Sequence, residues 1–317
     1  MIVRWGLREL PGVLGGLGIE RPFLVASDRW SHLDLAAERR WTEVPTDRIG
    51  DVAQEAEGTD GLLAVGGGSA IDLAKAASAA TGLPLVSIPT TYSGAEWTAF
   101  FGVRDPNRRM RGGGGGAHLA AIVYEPELTV SLGRAETVGT SMNALAHCAE
   151  ALYARTRNPG ADGVALEGAR VLAQQLPRVV ERPDDLDART ELLRGAALGG
   201  EALGKSGLAL GHAMAQALGG RYGLAHGAMN ALSLPPALRF NSEFVPAALA
   251  EALDRRDPAA VAEQLARLGG FERLRDFGVP EHELDDVAEA VAVRPGALAN
   301  PRPASPAEIA ELLRSIW

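Results

Sequence analysis

The sequence predicts a two-domain chain. The first domain is an α/β unit built on a parallel sheet over residues 1–134, and the second is an all-helical unit over 135–317. Three observations carry this. Short apolar runs ending in turn residues alternate with helical periodicity in the first part, which is the pattern of a parallel sheet covered by helices. Beyond residue 135 the runs become long, rich in alanine and leucine, and helical in period, with no convincing strand. With 317 residues, 46% of them apolar, the chain can fill two cores.

Taken in order, "PFLVAS" (22–27), "WTEVP" (41–45), "GLLAVGGGS" (61–69), "PLVSIPTT" (84–91) and "AAIVYEP" (120–126) read as strands closed by turn chemistry. "AIDLAKAASAAT" (70–81) reads as the helix between two of them. In the second part, 161–180, 188–204, 246–268 and 305–316 read as helices separated by Pro, Gly and Asp clusters. The run "RGGGGGAHL" (111–119) reads as a flexible loop, with His118 solvated in it.

Charge and composition exclude several classes of function. A net charge of −9, with Lys75 and Lys205 the only lysines, leaves no polybasic stripe for a nucleic-acid backbone. No run approaches the roughly 18 apolar residues of a membrane span, and "MIVRWGLREL" lacks the basic and apolar regions of a secretory leader. Cys148 is the single cysteine, so no disulfide forms within the chain; among alanines on an apolar helix it reads as a small packing residue. The expectation is a cytoplasmic protein acting on a small molecule, without nucleic-acid or membrane partners.

"LLAVGGGSAIDLAK" is the most informative local motif. A buried strand runs into Gly66, Gly67, Gly68 and Ser69, and a helix begins at once, with Asp72 and Lys75 in its first turns. Glycines allow a ligand close to the backbone, while the open N–H groups and positive dipole of a helix start favour a pyrophosphate. This outlines a Rossmann-like dinucleotide site with Asp72 among its cofactor contacts, although it is not GxGxxG and the turn alone is weak evidence. A second strand end, "SIPTTYSGAEWT", places Thr90 and Thr91 where ligands of open α/β sheets bind. After the first strand, Asp28 stands where a carboxylate accepts from an adenosine ribose and repels a 2′-phosphate, a lean toward NAD(H) over NADP(H).

In the helical part, Asn143 and His147 are four residues apart and share a helix face. His212 lies in "GLALGHAMAQALGG", and His226 opens "HGAMNALSLPP"; a helix ending at Gly219 and Gly220, then a new helix near His226, brings these two together. Imidazole nitrogens suit divalent metals, yet a histidine in an alanine-rich helix is more often structural, so the spacing leaves metal open.

Six motifs in order, "GGGSAIDLAK", "IPTTYSGAEWT", "VYEPELTVSL", "MNALAHCAEALYA", "GHAMAQALGGRYGLAHGAMNALSLPPALRFN" and "NPRPASPAEIAELLRSIW", resemble the iron-containing alcohol dehydrogenase superfamily, and within it the maleylacetate reductase branch. The resemblance spans nearly the whole chain. It implies a dehydroquinate synthase-like fold, cofactor contacts at Gly66 to Ser69 and at Thr90 and Thr91, and a homodimer. It also implies that Asn143, His147, His212 and His226 match the aspartate and three histidines that hold Fe(II) or Zn(II) in metal-dependent relatives. Asparagine at the first position is what maleylacetate reductases carry, and these are regarded as not needing metal. Three departures bear on substrate. The HxxxH of many relatives becomes His212 to Gln216, the sequence after His226 reads "HGAMN" where maleylacetate reductases have a second histidine, and the segment between Asp28 and Gly61 is short.

The resulting expectation is a metal-independent NAD(P)H-dependent reductase of an unsaturated oxo-dicarboxylate such as maleylacetate, in aromatic-compound catabolism. His147, His212 and His226 polarise and protonate substrate, and Asn143 holds their orientation. Substrate carboxylates call for arginine, and Arg104, Arg108, Arg109 and Arg111 are the candidates. Two rivals stand beside it: a metal-dependent alcohol dehydrogenase using the same four positions, and a non-catalytic binding protein on the same fold.

Overall fold

The computed structural model describes all 317 residues and divides them into two compact units. One comprises Met1–Thr91 with Ala95–Thr129; the other comprises Tyr92–Gly94 with Val130–Trp317. The packing thus divides the chain five residues before the boundary read from the sequence, and assigns the tripeptide Tyr92–Gly94 to the helical unit.

The first unit is built on β1 (Ile2–Trp5), β2 (Pro22–Ala26), β3 (Arg39–Trp41), β4 (Gly61–Gly66), β5 (Leu85–Pro89), β6 (Phe101–Arg104), β7 (Met110–Gly114) and β8 (Leu119–Tyr124). Six of these form one wholly parallel sheet in the order β1-β8-β5-β4-β2-β3. Its central strands are buried on both faces, which is why they read as unbroken apolar runs. Alternate residues serve opposite faces. Leu24, Leu63, Val65 and Val86 pack with Leu10, Val13 and Leu14 of α1 (Leu10–Leu17). Phe23, Val25, Leu62 and Ala64 pack with Val52 of α2 (Ile49–Glu55) and with Ile71, Ala74 and Ala77 of α3 (Gly68–Thr81). Each such Leu, Val, Ile or Phe side chain contributes roughly 1.5–3 kcal/mol relative to exposure.

Two features of this unit differ from the sequence reading. The glycine-rich run is not simply a loop, because Met110–Gly114 is a strand paired antiparallel with Phe101–Arg104. Its glycines have a packing reason: a Cβ on Gly114 would lie 2.8 Å from the Phe101 ring, and one on Gly113 would lie 2.8 Å from the Phe101 carbonyl oxygen. His118, beyond the strand, is exposed. The third sheet strand is Arg39–Trp41, earlier than the predicted 41–45, and the crossover that precedes it holds only a 3-10 turn, Asp28–Trp30. The short segment between Asp28 and Gly61 therefore lacks a helix between β2 and β3.

The second unit comprises α4 (Arg134–Ala151), α5 (Asp162–Glu181), α6 (Leu186–Ser206), α7 (Leu210–Tyr222), α8 (His226–Phe240), α9 (Ala247–Ala252), α10 (Pro258–Arg267), α11 (Leu284–Ala292), α12 (Pro295–Leu298) and α13 (Pro306–Ser315). Helix α4 is its axis, packed by α5, α6 and α8 and buried on all sides from Ser141 onward. The predicted helix 246–268 is two helices. Asp254 and Arg255 adopt positive φ (58° and 59°), and Asp257 caps a new start by accepting from the Ala260 N–H. Helix α7 runs past Gly219 and Gly220 and stops at Gly223, the first residue there in the left-handed conformation.

Candidate active site

In the first unit, strand order explains why separated motifs gather. The chain steps from β2 outward to β3, then returns past β2 to β4 and continues through β5 and β8 in the opposite direction. The reversal lies between β2 and β4, and open α/β sheets bind ligands outside the carboxyl ends of strands at such a point. Asp28 follows β2, Gly66 to Ser69 follow β4, and Thr90 and Thr91 follow β5, so all stand at the carboxyl edge of three adjacent strands.

The turn itself is tightly built. Gly66 has φ of 151°, and a Cβ there would come within 2.7 Å of the Ala70 Cβ. A Cβ on Gly67 would come within 2.8 Å of the Thr91 methyl, and the Thr90 N–H donates to the Gly66 carbonyl at 3.0 Å. The threonine pair thus braces the glycine turn, and the first turn of α3 presents its open N–H groups beyond it. Asp28 is exposed. Asp72 is already engaged: Oδ1 meets Lys75 Nζ at 2.7 Å, and Oδ2 accepts from the Gly102 N–H at 3.2 Å. Lys75, buried, also donates to the carbonyls of Ala95 and Phe100, so this pair ties α3 to the 95–102 segment.

That segment carries Glu96, which the sequence reading did not single out. Burial pushes its carboxyl above the usual carboxylate range; Tyr124 donates to it at 2.8 Å, and the Trp97 indole donates to Tyr124 at 2.7 Å. Among the four candidate arginines, Arg111 is paired with Asp105, and Arg104 donates to the Arg108 carbonyl with its guanidinium lowered by burial. Arg108 and Arg109 lie exposed at the hairpin turn.

In the second unit, three helices bring the four predicted positions together. Asn143 and His147 face the same way on α4; His212 is in the first turn of α7, and His226 is the first residue of α8. The start of α8 reaches α4 because two glycines meet there: a Cβ on Gly227 would lie 2.5 Å from the Gly139 carbonyl carbon. The "NPRP" segment fixes α7. Asn300 Oδ1 accepts from the Leu210 N–H at 3.3 Å, and Asn300 and Asn241 exchange amide hydrogen bonds at 2.8 and 3.0 Å. Cys148 packs where Gly168 and Gly199 leave room, and burial pushes its thiol up to about 12, so it is no nucleophile.

The rings of His147 and His212 stack with centroids 4.7 Å apart and planes 12° apart, and His226 lies 5.9 Å from His212. Asn143 is the hub. Its Nδ2 donates to the Ser93 carbonyl at 2.7 Å, which fixes the amide so that Oδ1 faces inward. Oδ1 accepts from Asn230 Nδ2 at 2.7 Å and stands 3.2 Å from His212 Nε2. Asn230 Nδ2 also lies 3.0 Å from His226 Nε2. Gly94, with φ of 73°, lets this loop close in: a Cβ there would sit 3.1 Å from the Gly200 Cα and 3.4 Å from His147 Nδ1. His147 Nδ1 is buried without a hydrogen-bond partner. Burial, then His212 and His226, hold His147 well below its ordinary 6.5, so it is neutral at pH 7 and can offer only a neutral N–H.

Sequence reasoning missed Glu150, Asn230 and Ser93 in this cluster. Asn230 stands four residues after His226, the spacing that singled out the Asn143–His147 pair, and Glu150 stands three after His147, the other spacing that shares a helix face. Gln216, half-buried, is one turn beyond His212 on α7.

Both halves of the chain match an oxidoreductase family. Residues 6–123 match the family model described as iron-containing alcohol dehydrogenase, and residues 137–317 match that of the Fe-containing alcohol dehydrogenase family, C-terminal. The chain belongs to the iron-containing alcohol dehydrogenase family. It is 37% identical to a maleylacetate reductase of Pseudomonas sp. (strain P51) over 330 aligned residues, covering 98% of this chain and 93% of that one. A maleylacetate reductase from Agrobacterium tumefaciens superposes with a TM-score of 0.88 at 29% identity, covering 100% of this chain and 95% of that one. An iron-containing alcohol dehydrogenase from Corynebacterium glutamicum gives 0.90 at 29% identity, covering 100% and 94%. The expected fold class, a parallel-sheet α/β unit followed by a helical one, is the fold of these relatives.

The family's name implies iron, and the donor set here does not fit it. Asn143 is neutral, and the one carboxylate near the cluster, Glu150, meets His212 on Nδ1, the nitrogen away from Asn143. Its one inward oxygen already accepts from Asn230 and faces His212, and the same Asn230 amide faces His226 Nε2. No group of three His, Cys, Asp or Glu side chains is arranged to hold a metal ion.

Proposed function

We propose that this chain is a reductase of maleylacetate to 3-oxoadipate in aromatic-compound catabolism, using NADH in preference to NADPH and no essential metal. One observation carries the reading: Asn143, where metal-holding relatives have a carboxylate, is committed to Ser93, His212 and Asn230, in a chain 37% identical to a maleylacetate reductase. Gly66 to Ser69, Thr90 and Thr91 would hold the dinucleotide, with Asp28 toward its adenosine ribose. When bound, the reduced nicotinamide supplies a hydride to the alkene carbon β to the ketone. The electron pair then moves onto the ketone oxygen as an enolate, which takes up a proton at the α carbon.

The chain's own groups serve that oxygen. The neutral N–H of His147 polarises it, and His212 and His226 polarise it and supply the proton, a role worth roughly 10²–10⁴ in rate. Asn143 holds the ring of His212 in place and, through Asn230, that of His226. We place the protein in the cytoplasm as a homodimer; no helix is long and apolar enough to cross a membrane. A metal-dependent alcohol dehydrogenase is the second reading, favoured by "HGAMN" (226–230), which is closer to the alcohol dehydrogenases in the resemblance.

The test is absorbance at 340 nm with NADH or NADPH against maleylacetate, small aldehydes and ketones, with and without a chelator. NADH oxidation with maleylacetate, unchanged by the chelator, is expected. No oxidation of either cofactor with maleylacetate rejects the substrate. Turnover abolished by chelation and restored by Fe(II) or Zn(II) selects the second reading.

A further inference from the structure

Glu150 is the one carboxylate in the helical core around His212, and it is 0% exposed. An ion there persists only with several compensating bonds. It has three: Oε2 accepts from the Ala209 N–H at 2.7 Å, Oε1 accepts from the His212 N–H at 3.1 Å, and Oε2 meets His212 Nδ1 at 2.7 Å. The two backbone donors are at the start of α7, whose own N-cap residue, Ala209, offers no side-chain acceptor. Space is reserved for it as well, since a Cβ on Gly211 would lie 2.9 Å from Oε1.

We infer that Glu150 is a positioning residue for His212. It accepts from Nδ1–H and locks the ring plane, so that Nε2, turned to Asn143 Oδ1, is the nitrogen that carries and gives up the proton of the reaction, leaving the Nδ1–H tautomer behind. The backbone bonds fix the carboxylate plane, and that plane fixes the imidazole, as a carboxylate does behind a working histidine in other sites. The inference rests on the proposed use of His212 in the reduction. Capping of α7 alone is the competing role, and it makes a different prediction: loss of stability with no special dependence on His212.

The experiment is a double-mutant cycle of Glu150→Gln and His212→Ala, read by kcat, KM, NADH affinity and melting temperature. It uses whichever enone or carbonyl the wild type reduces, so an error in substrate does not obscure it. Glu150→Gln is expected to lower kcat about 10- to 100-fold, with KM and NADH affinity within about twofold, and to cost nothing further on the His212→Ala background. Equal loss on both backgrounds, or kcat within about twofold of wild type, overturns it. If Glu150→Gln does not fold, Gly211→Ala displaces the carboxylate without removing it, and the same non-additivity decides. Should the wild type reduce no substrate, the proposed function fails on its own. Nitrogen-15 spectra of the His212 ring then decide for Glu150: loss of the Nδ1–H signal in either variant upholds the positioning role, and its retention overturns it.

Discussion

The two units make their candidate sites by opposite means. In the first, the candidate groups are mainly backbone: a glycine turn, the first N–H groups of α3, and two threonines that brace the turn. In the second, they are buried side chains from α4, α7 and α8, joined from Glu150 through His212, Asn143 and Asn230 to His226. A backbone site depends on what is absent from a few side chains. A network depends on what every member bonds to, so one exchange propagates.

The sharpest way to break this contrast is Gly66→Ala. The new Cβ meets Ala70 at 2.7 Å, at a φ of 151°, and strain of about 1–3 kcal/mol falls on the turn. NADH affinity should fall about 100-fold in a fluorescence titration, while the helical circular dichroism signal holds. Unchanged affinity would show that the turn is not the cradle.

Asn143→Asp probes the network next. Replacing the amide turns an oxygen toward the Ser93 carbonyl, at a cost of about 1–3 kcal/mol in urea unfolding with chelator present. The same change supplies the missing anion, so Zn(II) or Fe(II) should bind by calorimetry and restore part of the loss, whereas the wild type takes up neither. A variant that gains no metal shows that position 143 is not the switch.

The smallest effect sets the units against each other by pH. His147 is depressed below 6.5, so the unfolded chain gains a proton first as pH falls. Its stability contribution is full above about 6.5 and declines below it until the depressed folded value is reached. Glu96 is raised above 4.5, so its contribution is full below that value and is lost as pH rises through the folded one. Urea melts between pH 4 and 8 should show His147→Gln removing the acid-side loss and Glu96→Gln removing the alkaline-side loss, each about 1.4 kcal/mol per pH unit at most. Matching profiles for wild type and either variant would contradict that assignment.

The contrast also explains what was legible in the sequence. Strands β2, β4 and β5 were readable because burial on both faces leaves unbroken apolar runs, whereas β1 is a half-exposed edge strand without that signature. Strand β7 was hidden by its glycines, whose reason is the Phe101 ring on the facing strand, and the break at Asp254 and Arg255 interrupts a helical period that continues across it. Asn143, His147, His212 and His226 were found because histidines stand out among alanines. Glu150, three residues from His147, shares that helix face, yet a glutamate on a helix reads as a solvated charge until its burial is known. Asp72 read as a cofactor contact, and its bonds to Lys75 and Gly102 reflect a fold that no local motif discloses.

The contact of Gly139 with Gly227 sets a tolerance. Where helices meet through side chains, an exchange of one residue is absorbed by repacking, and the distance between them drifts. Here two backbones touch directly, and nothing between them can be resized. The separation of His226 from Asn143 is therefore inherited from main-chain geometry, and exchanges in the apolar filling of the helical unit leave this joint in register.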